Sequence, residues 1–236
     1  MKKIAILQSN YIPWKGYFDI IAAVDEFVVY DEVQFTKNDW RNRNKVKTSN
    51  GVQWISIPVG QDIHRRIFEV ELHDTRWRRK HWQTLVSNYS RCPYFPEVAA
   101  WLEPIYLEGA CTHLSELNLA LIRAVCAYLR IATPITSSAQ YVLQGGKTTR
   151  LVSLCEQAGA RRYVSGPAAR SYLDQAEFRA SGIQVVWFDY TGYPEYPQRW
   201  GGFVHGVSIL DLLFNCGPDS KNYMLCGQHD VTGARP

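Results

Sequence analysis

The sequence has no long apolar run. Its three most hydrophobic stretches are interrupted by Asp19, Asp25 and Arg123, so no window approaches the roughly 20 uninterrupted apolar residues that a membrane-crossing helix requires. A secretory leader is not expected either: Met1-Lys2-Lys3 runs into Ile4 to Leu7 and then into polar Gln8-Ser9-Asn10, too short an apolar stretch for a signal peptide. A cytoplasmic protein without a membrane span is expected. Cysteine motifs are absent as well. Cys92, Cys111, Cys126, Cys155, Cys216 and Cys226 lie far apart, with no CxxC pair and no histidine at zinc-finger spacing. That excludes the common zinc ribbons and dithiol redox motifs and leaves reduced, mostly buried thiols. No metal is expected, and the residues do not identify a cofactor. Internal repeats, low-complexity tracts and domain linkers are also lacking. Residues 1–227 therefore read as a single domain, and 228–236, without apolar periodicity, as a flexible tail or crossing arm.

What is present is the pattern of an α/β fold with a sizeable core, since 46% of the 236 residues are hydrophobic. Lys3 to Leu7 reads as a buried strand, Gln8 to Trp14 as a loop, Gly16 to Val24 as a helix and Glu26 to Asp31 as a second strand. This opening predicts a mainly parallel, Rossmann-like sheet with flanking helices, in which ligands bind beyond the carboxyl ends of the strands. Val52 to Val59 and Ile67 to Leu72 follow as strands. A helical middle section comes next, with helices at 77–89 and 94–107 and a third capped by Thr112. The alternation then resumes with helices around 149–158 and 171–180 and strands at 162–165 and 184–188.

The net charge of +4 is unevenly spread: between Lys37 and Lys80 eleven Lys or Arg face five Asp or Glu. A field of that sign favours an anionic partner, a nucleotide-linked small molecule or a nucleic acid, although such clusters are commonly solvated faces. Two segments can use it. In the loop, Gln8, Asn10, Tyr11, Trp14 and Tyr17 bring amides and aromatics to a helix N-terminus, as a nucleotide subsite or as an ordinary capped turn. From Asp31 onward, an extended chain would place Lys37, Arg41, Arg43, Lys45 and Lys47 on one face and Asn38, Trp40, Asn42 and Asn44 on the other. Gln34, Lys37, Trp40, Asn42 and Arg43 are its binding candidates, with Arg suited to clamp phosphate. Asp31, at a strand end, is the candidate base.

Later motifs are weaker. Arg76 to Trp82 interleaves cations with aromatics as RNA sites do, but two tryptophans five residues apart on a helix leave one facing inward. Gly145-Gly146-Lys147-Thr148-Thr149-Arg150 ends like a phosphate loop, yet it lacks the first glycine. Lys147 and Thr148 remain anion-binding candidates, and Ser165 can complete the rim. Ser208 and Asp211 form a capping-box pattern, which leaves His205 as the candidate acid or base.

Taken together, Gln8-x-Asn10-Tyr11-x-Pro13-Trp14-x-Gly16-Tyr17-Phe18, Asp31-x-Val33-Gln34-Phe35-x-Lys37, Trp40-x-Asn42-Arg43, Trp54-x-x-x-Pro58-Val59 and Ser208-x-x-Asp211-Leu212-Leu213-x-Asn215-x-Gly217 resemble the WbqC-like family over nearly the whole chain. Ser9 departs from that pattern, which has proline there, and should slightly loosen the loop. The resemblance implies a place in bacterial surface-polysaccharide (O-antigen) or related biosynthesis. There it implies transfer of an acyl or aminoacyl group, such as glycyl, to the amine of a nucleotide-linked amino sugar. Cations would hold the diphosphate, Tyr11, Trp14 or Trp40 would stack on base or sugar, and Asp31 would orient or deprotonate the amine. An aminoacyl-tRNA donor and a homo-oligomer are compatible with it. Two alternatives stand beside it. One is an ATP-dependent amide ligase, from a faint likeness to the nucleotidylyltransferase-type sheet of pantothenate synthetase, although Trp14-Lys15-Gly16-Tyr17 lacks that group's histidines. The other is a noncatalytic nucleic-acid or carbohydrate binder.

Overall fold

The computed structural model describes residues 1–227, and its framework follows from the short apolar strands. Residues apolar on both sides suit a strand covered on both faces. The first of them, β1 (Lys3–Leu7), lies at the centre of a five-stranded parallel sheet. Around it stand β2 (Glu26–Val29) and β5 (Ile135–Ser137) on one side, and β6 (Arg162–Ser165) and β7 (Gln184–Trp187) on the other. The spatial order is β5-β2-β1-β6-β7, all pairs parallel. This is a Rossmann-like sheet, and the chain reverses its direction of growth between β1 and β6. That topological switch opens a crevice at the carboxyl ends of the strands, where such folds bind ligands.

The period of two along each strand divides the core. Ile4, Ile6, Val28 and Tyr30 pack under α5 (Lys147–Gln157) and α6 (Gln175–Ala180). Ala5, Phe27 and Val29 face the opposite layer. That layer holds α1 (Lys15–Ala22), α2 (Arg76–Tyr89), α3 (Phe95–Leu107), α4 (Leu114–Tyr128) and α7 (Ile209–Cys216). A two-stranded antiparallel ribbon, β3 (Arg43–Thr48) and β4 (Gly51–Ser56), packs at its side. The expected helical middle section is α2 to α4.

The departures are local. Ile67 to Leu72 forms no strand; its first three residues make a 3-10 turn, and Glu71 forms a single bridge with His113. Strand β5 escapes a sequence reading because three residues, Ile-Thr-Ser, carry no periodicity, and its existence depends on pairing with β2. The helix expected at 171–180 divides into a 3-10 turn, Pro167–Ser171, and α6, which is capped by Asp174. His113, not Thr112, caps α4, with Glu116 closing the capping box. Among the described residues no helix is long and apolar enough to cross a membrane. The tail expected at 228–236 lies outside the described residues.

Candidate functional site

A cleft of about 640 Å³ opens at the switch point, a volume suited to a nucleotide-sized ligand. Gln8 follows β1, Ser165 ends β6, and Gln34 with Glu32 comes from the segment after β2. Gly145, Gly146, Lys147 and Arg150 approach from the start of α5, and Tyr172 closes another wall. Gly145 has φ +83, a conformation that favours glycine, and a β-carbon there would meet Thr149 at 2.9 Å. Arg150 Nε donates to the Gly145 carbonyl at 3.0 Å, fastening the loop to its own helix. Four of the expected binding residues, Gln8, Gln34, Lys147 and Ser165, thus line one cleft although they come from distant parts of the sequence. Thr148 does not line it; its hydroxyl accepts from the Asp174 N–H.

The Gln8 to Asn10 loop is tightly held. Asp31 is only 4% exposed; its Oδ1 accepts from the Ser9 N–H at 2.8 Å and its Oδ2 from the Ser115 hydroxyl at 2.6 Å. Tyr17 donates its hydroxyl to the Gln8 carbonyl at 2.9 Å. Asn118 donates to Ser9 Oγ and to the Arg41 carbonyl. Ser9 therefore tightens the loop, contrary to the expectation: proline has no N–H to give Asp31. Arg41 supplies the remaining link. Its guanidinium donates to the side-chain oxygens of both Gln8 and Asn10.

Gln8 and Asn10 open onto different spaces. Asn10, Pro13, Trp14, Trp40, Asn44 and Gly206 line a second cavity of about 310 Å³. Trp14 packs against Tyr190 and Tyr193 and lies over Gly16, where a β-carbon would sit 2.3 Å from the indole ring. Trp40, 41% exposed, meets Trp54 with ring centroids 5.3 Å apart. Two indoles and two amides give this cavity apolar walls with a few directed hydrogen-bonding groups.

Other expected site residues have structural partners. The chain is extended only from Arg43 onward, and residues 37–42 form turns, so the five-cation face is not formed. Arg43 lies over the Trp54 ring at 4.2 Å, Lys47 is buried and donates to the Gly202 carbonyl, and Lys37 reaches Gln61 at the surface. Asn42 is buried and donates to the Ile57 carbonyl. Tyr11 is buried, its hydroxyl joined to His81 Nδ1 and to the Tyr106 hydroxyl. Trp77 and Trp82 are 4% and 6% exposed: both pack inward, because α2 lies between the Tyr11 and Tyr106 rings on one side and Phe95 on the other. No stacking platform for bases remains on that helix.

Asp211 does not close a capping box. Ser208 caps α7 through the Leu210 N–H. The Asp211 carboxylate, fully buried, instead accepts from Tyr89, Tyr196 and Gln198, and burial raises its pKa despite these donors. Lys15 is buried among the Tyr193, Tyr196 and Phe203 rings and donates to the Pro194 and Tyr223 carbonyls. Burial lowers its pKa to about 8. His205, exposed beside Phe203, has its pKa lowered by desolvation and by Lys15. All six cysteines are unpaired, and burial raises the thiols of Cys126, Cys155, Cys216 and Cys226 to about 12.

Glu32, Arg150 and Asn118 are not among the residues expected from the sequence, and Arg41 is expected only as part of the cationic face. Asn118 carried a signal, as a polar residue inside the buried stripe of Leu114, Leu117 and Leu121. Glu32 carried none beyond its place after β2.

The fold and cleft define a Rossmann-type α/β protein with an open cleft at its switch point. The chain belongs to the WbqC-like protein family, whose model matches residues 8–223. It is 55% identical over 226 residues, 95% of this chain and 98% of the other, to the uncharacterized protein Rv1507c of Mycobacterium tuberculosis (strain ATCC 25618 / H37Rv). No solved structure matches it.

Proposed function

We propose that the protein transfers an acyl or aminoacyl group, such as glycyl, to the amine of a nucleotide-linked amino sugar in bacterial surface-polysaccharide or related biosynthesis. One observation carries the reading: the switch-point cleft joins Lys147, Arg150 and the start of α5 with the amides of Gln8 and Gln34. The cations and helix N-terminus suit a diphosphate, and the amides suit the carbonyl and N–H groups of a base or the hydroxyls of a sugar.

In the reaction the neutral amine attacks the donor carbonyl. A C–N bond forms, the bond to the donor's oxygen or sulfur breaks, and the amine's proton passes to a base while the leaving group gains one. Asp31 serves as a positioning residue, because both of its oxygens hold the protein. Glu32 is the carboxylate on the cleft wall, and it takes the proton. His205 adjoins Gly206 on the second cavity; neutral at pH 7, it can accept or relay a proton there. Trp14 and Trp40 would hold the sugar or the acyl group. The burial of Trp77 and Trp82 speaks against the nucleic-acid alternative, and the enclosure of Lys15 at the start of α1 adds to the missing histidines against adenylate chemistry.

The test is incubation with UDP- and dTDP-linked amino sugars and with acyl-CoA or glycyl-tRNA, read by mass spectrometry. A mass gain on the sugar that is lost in Lys147→Ala is the expected result. Failure of every nucleotide sugar to bind, or binding indifferent to Lys147→Ala with Arg150→Ala, would overturn the reading.

A further inference from the structure

Away from the cleft, a short loop is pinched shut by one side chain. Gln198 Nε2 donates to the Val204 carbonyl at 3.1 Å, and the Val204 N–H donates back to Gln198 Oε1 at 2.8 Å. A side-chain amide thus imitates a strand pair around residues 199–203. The base of this loop is anchored, since Gln198 also donates to Asp211 and Lys47 holds the Gly202 carbonyl.

The loop presents Arg199 and Trp200 to the carboxyl end of α2. Trp200 has φ +70, which a bulky residue avoids, and its indole Nε1 donates to the Asn88 carbonyl at 3.0 Å. Strain of this kind persists only where surrounding contacts impose it, and it gathers at binding sites. The Arg199 guanidinium lies over the Trp200 ring at 4.4 Å, and its buried Nε makes no hydrogen bond within the protein. Arg199, Trp200, Arg91, Asn88, Ser87 and Ser90 together line a cavity of about 260 Å³. Among the described residues neither arginine has a carboxylate within salt-bridge distance.

We infer that this cavity is a second anion site, built for a phosphate group. Two guanidinium forks offer paired N–H donors to a tetrahedral oxyanion, and Ser87 and Ser90 share the cavity lining. The fixed loop means that little ordering is needed on binding. The competing account is that both arginines merely offset the negative end of the α2 dipole. It explains neither the strained tryptophan nor the clamp. The inference is independent of the reaction proposed for the cleft.

The same phosphate chemistry can come from a small phosphorylated compound or from a nucleic-acid backbone, so the test has two arms. The Trp200 indole N–H is followed by NMR, assigned with Trp200→Phe, while inorganic phosphate is titrated at constant ionic strength. A saturable shift is expected, weakened about tenfold or more by Arg199→Gln or Arg91→Gln, as loss of a charge-assisted hydrogen bond implies. Lys147→Ala should leave it unchanged. The seven other tryptophans report whether each variant is folded. A shift that does not saturate, or one that persists in folded Arg199→Gln, would overturn the site; so would variants that lose only thermal stability, as the dipole account requires. In the second arm a short single-stranded RNA is added. Displacement of the phosphate shift assigns the site to a nucleic-acid backbone, and an unperturbed indole assigns it to a small phosphate compound.

Discussion

Asn44 Nδ2 donates to the Ile12 carbonyl at 2.9 Å and so holds Ile12 at φ +38, in a region that β-branched residues avoid. The same amide donates to the Tyr11 carbonyl at 3.0 Å, and the Tyr11 N–H donates to the Trp40 carbonyl. One buried side chain on β3 therefore fixes the loop that separates the cleft from the second cavity. Replacing Asn44 by Leu keeps the volume but leaves two buried carbonyls without a donor and the strain without a restraint. A loss of about 2–4 kcal/mol is expected by summing those costs, measured by urea denaturation. A variant within about 0.5 kcal/mol of the parent would show that the loop is held by packing alone.

Ser9 gives a second prediction. Its N–H is the donor to Asp31 Oδ1, and Asp31 is buried, so Ser9→Pro removes a hydrogen bond to a charged group and leaves one carboxylate oxygen unserved. The expected cost is about 1.5–3 kcal/mol, seen as a lower Tm. A higher Tm would mean that proline's restriction of the unfolded chain outweighs the lost bond.

These two residues mark where sequence reading succeeds and stops. Ile4, Ile6 and Ile21 announce buried elements by their spacing, so β1, α1 and the parallel sheet were legible. The meeting of Gln8 with Lys147 and Ser165 was partly legible, because parallel sheets gather their loops at one end. Solvation of cations was not: Arg43 and Lys47 read as exposed charges, and only the tertiary structure sets one on an indole and buries the other. Asp211 shows the same limit. Its spacing from Ser208 fits a cap, but Tyr89, 122 positions earlier, takes the carboxylate.

His81 makes acid stability measurable. Burial lowers its pKa from 6.5 to about 4, so between those values the unfolded chain binds a proton that the folded chain refuses. Stability is therefore full above about pH 6.5 and falls as pH drops toward 4, by roughly 3 kcal/mol from this group. In His81→Gln that component should vanish. The measurement is the unfolding free energy of both proteins from pH 7 to 4.5. Parallel curves would show that His81 is protonated in the fold.

Asp31 and Glu32 are neighbours with opposite prospects. Asp31 is enclosed and donated to by Ser9 and Ser115; in Glu32 one oxygen accepts from Ser138, and the residue lines the cleft. Asp31→Asn preserves an acceptor for the Ser9 N–H, so it should lower stability and leave most of the transfer activity. Glu32→Gln should leave the fold and nucleotide binding intact and reduce kcat by about 10²–10⁴, the usual contribution of a positioned base. The reduction should ease as pH rises and hydroxide takes the proton that Glu32 otherwise accepts. The decisive comparison is kcat against KM for the nucleotide sugar in the two variants. A Glu32→Gln enzyme with unchanged kcat, or an Asp31→Asn enzyme that is folded yet inactive, would return the base to Asp31.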